Sequence, residues 1–386
     1  MTNVVAPQAP HTDDSIASIG FISADSHVNE PRDLWSSNLP ASLKDQAMRG
    51  LASSGDGGWS LIMDGQHAFQ KDMQAEEDRL AVLKPEKRLE VMREDGVAGE
   101  CIFPTIALQV WMLESPEGGQ ASCRIYNDYI YDQLHRHSPR FCCAGIVPTW
   151  TPEMAVAEVE RIAEIGLGAI MLPALANPMW NHRQWAPMWD AIERTGLPVA
   201  MHQGTGHPMR AFRGPGATVA NNLYIQSMAP QVATLLATSG VLADHPGIHV
   251  VLVEYNIGWM AWANETMDNS DIAFRRYDEF ISYGGKKGQP SVYPDLEHPP
   301  SYYAKRQVHS TFARDTVGIG NIALTGPSML MFGNDYPHEE GTYPHSREVV
   351  AEQAKLIADP AIARKVFREN ALEVFKFDPT EVTPLV

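Results

Sequence analysis

Short runs of apolar residues recur along the chain and alternate with segments whose apolar positions follow a helical period. Continuous apolar runs of this length are typical of parallel strands that are buried on both faces. Eight runs fit this description, and they cover residues 19–22, 97–103, 141–147, 168–172, 198–202, 248–254, 305–312 and 328–332. The pattern therefore predicts eight strands.

The segments between these runs predict helices. Glycine follows three of them directly, at Gly96, Gly166 and Gly196, where a helix is expected to end. The predicted helices cover residues 85–95, 123–137, 152–165, 185–195, 241–245, 259–276, 346–358 and 360–375. Residues 50–75 predict a small hairpin around 59–63, and residues 283–303 an irregular loop. Alternation of strands and helices predicts an α/β fold, a (β/α)₈ TIM barrel with long loops at its C-terminal mouth.

The chain has 386 residues, enough for one large barrel or for two ordinary domains. No Gly/Ser tract, charge block or internal repeat marks a linker. We therefore expect a flexible N-terminal arm over residues 1–18 and a single barrel domain over residues 19–386.

Polar residues stand where the predicted strands end. Asp25 and His27 lie two residues apart, so their side chains point to the same face of the first strand. His202, Glu254 and Asp335 close later strands. In a barrel these ends meet at the mouth, and polar groups there are costly to bury unless they are paired or coordinated. The five residues therefore predict a divalent metal site.

Composition narrows the class of partner. The net charge of −17, from 47 acidic and 30 basic residues, argues against nucleic acid or an anionic membrane as a partner. The N-terminal residues lack the basic and apolar regions of a signal peptide, and no run is long enough to span a bilayer. The four cysteines show no Cys-x-x-Cys spacing and predict buried free thiols. We expect a cytoplasmic enzyme that binds a small molecule and forms a homo- or hetero-oligomer.

These residues resemble the amidohydrolase-related family, in the branch of aminocarboxymuconate-semialdehyde decarboxylase and the dihydroxybenzoate decarboxylases. The most specific part is Phe-Gly-Asn-Asp-Tyr-Pro-His-Glu-Glu-Gly at residues 332–341, which is similar to the family's last-strand signature. The resemblance implies that Asp335 binds or faces the metal and takes part in proton transfer. It also implies that His202 is a metal ligand and that Asp25-Ser-His27 stands at the first-strand His-x-His.

The chain departs from the family pattern in two places. Asp25 replaces the first His of His-x-His, and Glu254 stands where a His often follows the sixth strand. Carboxylate in place of imidazole shifts the expected metal from zinc towards manganese or iron. The extra negative charge also predicts a possible dinuclear site, with Glu30 and His338 as candidate additional ligands.

The leading hypothesis is metal-dependent hydrolysis or decarboxylation of a small carboxylate or aromatic acid. Asp335, Glu254 and His338 are the candidate catalytic residues. Arg210 and Arg213, after the fifth strand, are candidates to hold the substrate carboxylate, because the guanidinium fork matches its two oxygens. Trp259, with Trp111 and Trp180, is a candidate for the pocket wall.

Two alternatives remain open at the level of sequence. The same carboxylate-rich ligands would suit a non-haem iron or iron–manganese oxygenase, since fold does not fix reaction type. A metal-bearing structural subunit of a hetero-oligomer is the second. The chain lacks a Gly-x-Ser-x-Gly nucleophile motif and a phosphate-binding glycine motif, which argues against those chemistries.

Overall fold

The computed structural model describes residues 20–31, 33–52, 59–63, 66–71, 84–206, 211–274 and 294–385. The predicted arm over residues 1–18 lies outside these residues. The described strands are β1 (Phe21–Val28), β2 (Arg49–Ala52), β3 (Trp59–Met63), β4 (Gln66–Lys71), β5 (Val97–Pro104), β6 (Phe141–Ile146), β7 (Ala169–Pro173), β8 (Val199–His202), β9 (Val250–Val253), β10 (Val308–Phe312) and β11 (Leu330–Phe332).

Eight of these strands form one parallel sheet in the order β1-β5-β6-β7-β8-β9-β10-β11. The two outer strands approach each other beyond β11. There the Asp335 N–H donates to the Asp25 carbonyl at 2.8 Å, and Ser26 forms a parallel bridge with Tyr336. The sheet thus closes into a nearly complete (β/α)₈ barrel, which confirms the predicted fold class.

Helices follow the barrel strands in sequence. The α-helices are Leu34–Asn38, Pro85–Asp95, Pro116–Gln133, Pro152–Ile165, Ala186–Thr195, Ala217–Gln226, Met228–Thr238, Val241–Asp244, Met260–Phe274, Pro300–Gln307, Thr316–Gly320, Ile322–Thr325, Ser346–Ala354, Pro360–Arg364 and Asn370–Val374. A π-helical turn, Lys365–Glu369, joins the last two. Within the described ranges, no helix combines the length and the apolar character needed to cross a membrane.

The predicted helix boundaries hold where local signals are strong. Helix Pro152–Ile165 begins where the Thr151 hydroxyl accepts the Met154 N–H at 3.2 Å. It ends at Gly166, whose φ of +88° suits glycine. Pro85–Asp95 also matches its predicted bounds.

The structure corrects three predicted elements. Residues 305–307 were predicted to open a strand, but they end helix Pro300–Gln307, which a proline begins. The helix predicted over 123–137 is Pro116–Gln133, because the Ser115 side chain caps it earlier. The hairpin predicted around 59–63 is part of a three-stranded antiparallel sheet, β2-β3-β4. The sequence pattern also missed helices Ala217–Gln226 and Met228–Thr238.

The barrel strands are buried along their whole length, as parallel strands covered by helices must be. Phe332 packs edge-on against Phe21, with ring centroids 5.4 Å apart, and also contacts Phe312 and Phe367. This packing fixes the ends of β1, β10 and β11, which carry the side chains described next.

Candidate metal centre

Two histidines face each other at the C-terminal end of the barrel. His27, near the end of β1, and His202, at the end of β8, are both buried, and their Nε2 atoms lie 3.0 Å apart. The Nδ1 atom of His27 lies 2.8 Å from the Pro104 carbonyl, and that of His202 lies 2.9 Å from the Gln203 carbonyl. A carbonyl only accepts, so each Nδ1 carries a proton, and Nε2 is the atom of each ring that could bind a metal through its lone pair.

Asp25 supplies a carboxylate to the same point. Its Oδ1 lies 3.5 Å from Nε2 of His27 and 3.6 Å from Nε2 of His202, yet it is buried and accepts no hydrogen bond from the described residues. Its Oδ2 lies 3.4 Å from the Thr311 hydroxyl. An unsatisfied buried carboxylate oxygen is costly. A divalent cation would satisfy that oxygen and both imidazole lone pairs, so these three residues fit a metal.

The pKa values of the three residues also favour a bound cation. Burial opposes ionisation of His202, but Asp25 and then Glu254 raise its pKa to about 9. Burial and His338 lower the pKa of His27 to about 3. Although burial raises it, His202 and His27 hold the pKa of Asp25 well below its ordinary value. Without a cation, the His202 imidazolium donates to the neutral His27, and a metal would take that proton's place.

Asp335 stands beside this group in a left-handed backbone conformation, with a φ of +53°. Its Oδ1 lies 3.4 Å from Nε2 of His27 and 2.9 Å from Nδ1 of His338. Nε2 of His338 in turn contacts the Thr105 hydroxyl at 3.2 Å. Burial raises the pKa of Asp335 to about 6, against the lowering effect of His338. Asp335 can therefore serve either as a ligand or as a proton carrier.

Glu254 follows β9 and also has a positive φ, of +68°. Its N–H donates to the Thr311 hydroxyl at 2.7 Å, and its Oε2 lies 3.6 Å from Nε2 of His202. Burial raises the pKa of Glu254 well above its ordinary value, and Asp335 and Asp25 add to that effect while His202 opposes it. Strained backbone at two adjacent acids is a feature of functional sites.

The potential ligands fall into three overlapping groups whose ligand atoms lie within 4.8 Å of one another. These groups are Asp25–His27–His202, His27–Asp335–His338 and Glu254–Asp335–Glu340. The five residues predicted as ligands from the sequence are therefore brought together by the fold. Glu340 was not predicted, and only its proximity to Asp335 reveals it.

A family model described as Amidohydrolase matches residues 24–377. The chain belongs to the amidohydrolase family. The resemblance read from the strand-end residues is thereby confirmed at the level of the family. Among curated relatives of this amidohydrolase is gamma-resorcylate decarboxylase from Polaromonas sp. (strain JS666 / ATCC BAA-500). It is 20% identical over 316 residues, which cover 76% of this chain and 87% of the relative.

Solved structures share the fold of this amidohydrolase. An amidohydrolase from Mycobacterium avium subsp. paratuberculosis K-10 matches with a TM-score of 0.75 at 16% identity, over 92% of this chain and 98% of that chain. A 5-carboxyvanillate decarboxylase from Novosphingobium aromaticivorans DSM 12444, complexed with manganese and 4-hydroxy-3-methoxy-5-nitrobenzoic acid, matches with a TM-score of 0.66 at 17% identity. That match covers 93% of this chain and 97% of the other.

A cavity of about 290 Å³ opens beside the ligand groups of this amidohydrolase. Its lining includes the acidic residues Asp25, Glu254, Asp335 and Glu340, the amide residues Asn222, Gln226 and Asn256, and Arg314. The sequence did not predict Asn222, Gln226, Asn256 or Arg314 as site residues. Arg314 follows the strand with the weakest apolar pattern, and the two amides on helix Ala217–Gln226 belong to an element that was not predicted.

Other predicted residues lie elsewhere. Glu30 is buried, and its oxygens accept backbone N–H groups of residues 105–107, so it fixes the loop after β5 and belongs to none of the three groups. Arg213 is exposed and does not line the cavity, and Arg210 lies outside the described residues. The indole N–H of Trp259 donates to the Asn256 carbonyl.

The two remaining tryptophans also donate hydrogen bonds to backbone carbonyls near strand ends. The indole N–H of Trp111 donates to the Val147 carbonyl, and that of Trp180 to the Pro173 carbonyl. None of the three predicted tryptophans lines the cavity. Each instead fixes backbone near a strand end, which is the commoner use of an indole N–H.

Proposed function

We propose that this chain is a metal-dependent decarboxylase that acts on a small hydroxylated aromatic acid. The observation that carries the proposal is that Nε2 of His27, Nε2 of His202 and Oδ1 of Asp25 meet at one point, where that oxygen accepts no hydrogen bond from the described residues. The relatives include a gamma-resorcylate decarboxylase and a 5-carboxyvanillate decarboxylase, which supports the substrate class. Two nitrogens with several carboxylate oxygens favour manganese or iron over zinc, and manganese is present in the 5-carboxyvanillate decarboxylase.

Asp25, His27, His202 and Asp335 would hold the cation, with Glu254 at its side. A bound divalent cation would polarise the hydroxyl and carboxyl oxygens of the acid. When the carbon–carbon bond breaks, carbon dioxide leaves and the electron pair stays on the ring carbon, which then needs a proton. Asp335 suits this task, because it lies beside the ligand atoms and burial raises its pKa, which eases transfer of a proton through its carboxyl group. His338, bonded to the same carboxyl group, orients it.

The carboxylate-rich group Glu254–Asp335–Glu340 could hold a second metal ion. Two metals per chain that include iron, together with oxygen-dependent turnover, would favour the oxygenase alternative. One metal per chain with no turnover, and activity only beside a partner chain, would favour the structural-subunit alternative. The decarboxylase proposal expects one manganese or iron per chain and turnover that does not need oxygen.

The test combines elemental analysis with an assay of carbon dioxide release from 2,6-dihydroxybenzoate and 5-carboxyvanillate. We expect His202→Ala to lose the metal and to lower turnover by about 100-fold or more, because it removes a ligand. The matched control is His182→Ala, since His182 is exposed and its ring accepts only the Gln184 N–H at 3.3 Å. Full metal content and turnover in His202→Ala would refute the proposed site.

We also propose a reducing compartment, the cytoplasm, and an oligomeric state. All four cysteines are buried free thiols, which supports the compartment. Val219 and Leu223, one helical turn apart, are 78% and 68% exposed, which supports a further contact surface. Light scattering on the sample used for metal analysis measures the mass of the assembly.

A further inference from the structure

Arg314 places a positive charge on the rim of the cavity. It is the only Lys or Arg among the described residues that line this space. Its guanidinium forms no ion pair within 4.0 Å and no hydrogen bond with any residue that the structure describes. A guanidinium that has no partner in its own chain is available to a ligand, and its fork matches a carboxylate.

The backbone around Arg314 is held firmly although its side chain is free. The next residue, Asp315, accepts the N–H groups of Ile257 and Gly258 through Oδ2, at 2.8 and 2.7 Å. Its Oδ1 accepts the Gly318 N–H at 2.8 Å. The loops after β9 and β10 are thus joined by one carboxylate. This junction places Asn256 and Arg314 on the same rim and reduces the ordering needed on binding.

Three amides continue the rim next to Arg314. Asn222 and Gln226 lie one turn apart on helix Ala217–Gln226, and Gln226 Oε1 accepts from Asn256 Nδ2 at 3.4 Å. The side chain of Asn222 makes no hydrogen bond with the described residues. Amides that line a cavity with unused donors and acceptors are suited to bind a polar ligand group.

The cavity lining also carries negative charge. Asp25, Glu254 and Asp335 lie there with the two imidazoles, so an anionic ligand group is repelled unless the cation neutralises it. An acid can therefore place one end at the cation, and among the described residues that line the cavity only Arg314 offers a positive charge to a second anionic end. The cavity thus offers two anchoring points of different chemistry.

We infer that the substrate is bifunctional: a small aromatic acid that carries a second carboxylate, bound by Arg314 with the amides of Asn222, Gln226 and Asn256. This inference rests on the proposed function and specifies its substrate class. Arg314 is then a specificity-determining residue. The end at the metal carries the reaction, and the end at Arg314 selects the acid and sets its orientation.

Two probes that differ in a single group test this inference. 4-Hydroxyisophthalate is salicylate with a second carboxylate, so both present the same hydroxyl and carboxyl to the metal. Isothermal titration calorimetry of the manganese-loaded full chain should show 4-hydroxyisophthalate binding about tenfold or more tightly than salicylate, as a charge-assisted bidentate contact provides. Arg314→Met should bring the two affinities to within about threefold by weakening 4-hydroxyisophthalate alone, and Arg314→Lys should retain part of the difference.

The salicylate affinity of each variant reports whether the metal end remains intact. Asn222→Leu is a second variant from a different element, and it should also weaken 4-hydroxyisophthalate alone. Arg194→Met, at an exposed ion pair with Glu160, is the matched control. Equal or absent binding of the probes by the wild type, an unchanged ratio in Arg314→Met, or a ratio lost in Arg213→Met would overturn the inference. The proposed function is judged separately, by metal content and carbon dioxide release.

Discussion

Single positions around the centre are restricted by close contacts as well as by charge. Gly333 follows β11 where the chain passes β1, and a Cβ added there would lie 2.4 Å from the Cβ of Asp25. Real Cβ atoms do not approach so closely, so either the strand end or Asp25 must move. The glycine at this point therefore permits the carboxylate to reach the two histidines.

We expect Gly333→Ala to lower manganese affinity by about tenfold or more, because a ligand displaced by a fraction of an ångström no longer matches the others. Titration of the chelated protein with manganese measures this affinity. Gly320→Ala is the matched control, since a Cβ there would meet no atom within 4 Å. Equal affinities in the two variants would show that Asp25 tolerates the displacement, or that it is not a ligand.

The potential ligands were predictable from the sequence, but their protonation states were not. Asp25, His27, His202, Glu254 and Asp335 follow apolar runs, and a period of two residues places the first pair on one face. The protonated Nδ1 atoms depend on carbonyls of Pro104 and Gln203, which only the folded chain brings into position. Arg314 carries no signal in a single sequence, because a charged residue after a weak strand is usually a solvated loop residue.

At the scale of elements, a buried polar network joins the first and last barrel strands. Asn334 Oδ1 accepts from the hydroxyls of Ser23 and Ser26, both at 2.9 Å, and its Nδ2 donates to Asp95 at 3.3 Å. Asp95 also accepts the Ser346 N–H at 2.9 Å. Asn334 precedes Asp335, whose positive φ requires support from its surroundings. The network thus positions one ligand on β1 and another after β11.

We expect Asn334→Ala to destabilise the fold by ~3 kcal/mol, because it removes one hydrogen bond from each of the buried side chains Ser23, Ser26 and Asp95. A positioning role also predicts a loss of manganese affinity of about tenfold or more. Denaturant unfolding and metal titration measure the two effects. The control is Asn321→Ala, whose amide donates only to the Val317 carbonyl of the preceding turn. Lower stability with unchanged metal affinity would reduce Asn334 to a structural residue.

Strong elements were predictable because their signals are local, whereas weaker ones depend on tertiary contacts. Helix Pro152–Ile165 has a Thr cap, a first-turn proline and a terminal glycine, and its bounds were predicted. Helix Ala217–Gln226 buries only Ile225, so it shows no apolar stripe that could be recognised. That helix carries two of the amides at the cavity, so the substrate side of the site was the part least visible in the sequence.

At the scale of the whole molecule, the two ends of the barrel have different tasks. The potential ligands stand at the C-terminal ends of the strands. A histidine pair stands at the N-terminal ends, and in this fold that face of the barrel serves stability. Nδ1 of His249 lies 2.9 Å from Nε2 of His309, and Nδ1 of His309 lies 2.9 Å from the Ser328 carbonyl. His309 is therefore neutral, with its proton on Nδ1.

Burial, with a contribution from His249, lowers the pKa of His309 to about 3, from an ordinary value of 6.5. Below about pH 6.5 the unfolded chain binds a proton that the folded chain does not bind. The free energy of unfolding therefore decreases as the pH falls from 6.5 towards 3. At pH 5 the loss amounts to ~2 kcal/mol, from about 1.5 pH units at 1.36 kcal/mol each.

Between pH 7.5 and pH 5, His309→Gln should therefore lose ~2 kcal/mol less stability than the wild type. Urea unfolding of chelated protein at both pH values measures this difference without contributions from metal release. The pKa of His27 is also lowered to about 3, but His27 is present in both proteins and cancels from the comparison. His182→Gln, at an exposed histidine, should follow the wild type. Parallel acid dependence of wild type and His309→Gln would show that His309 is not the source of the acid sensitivity.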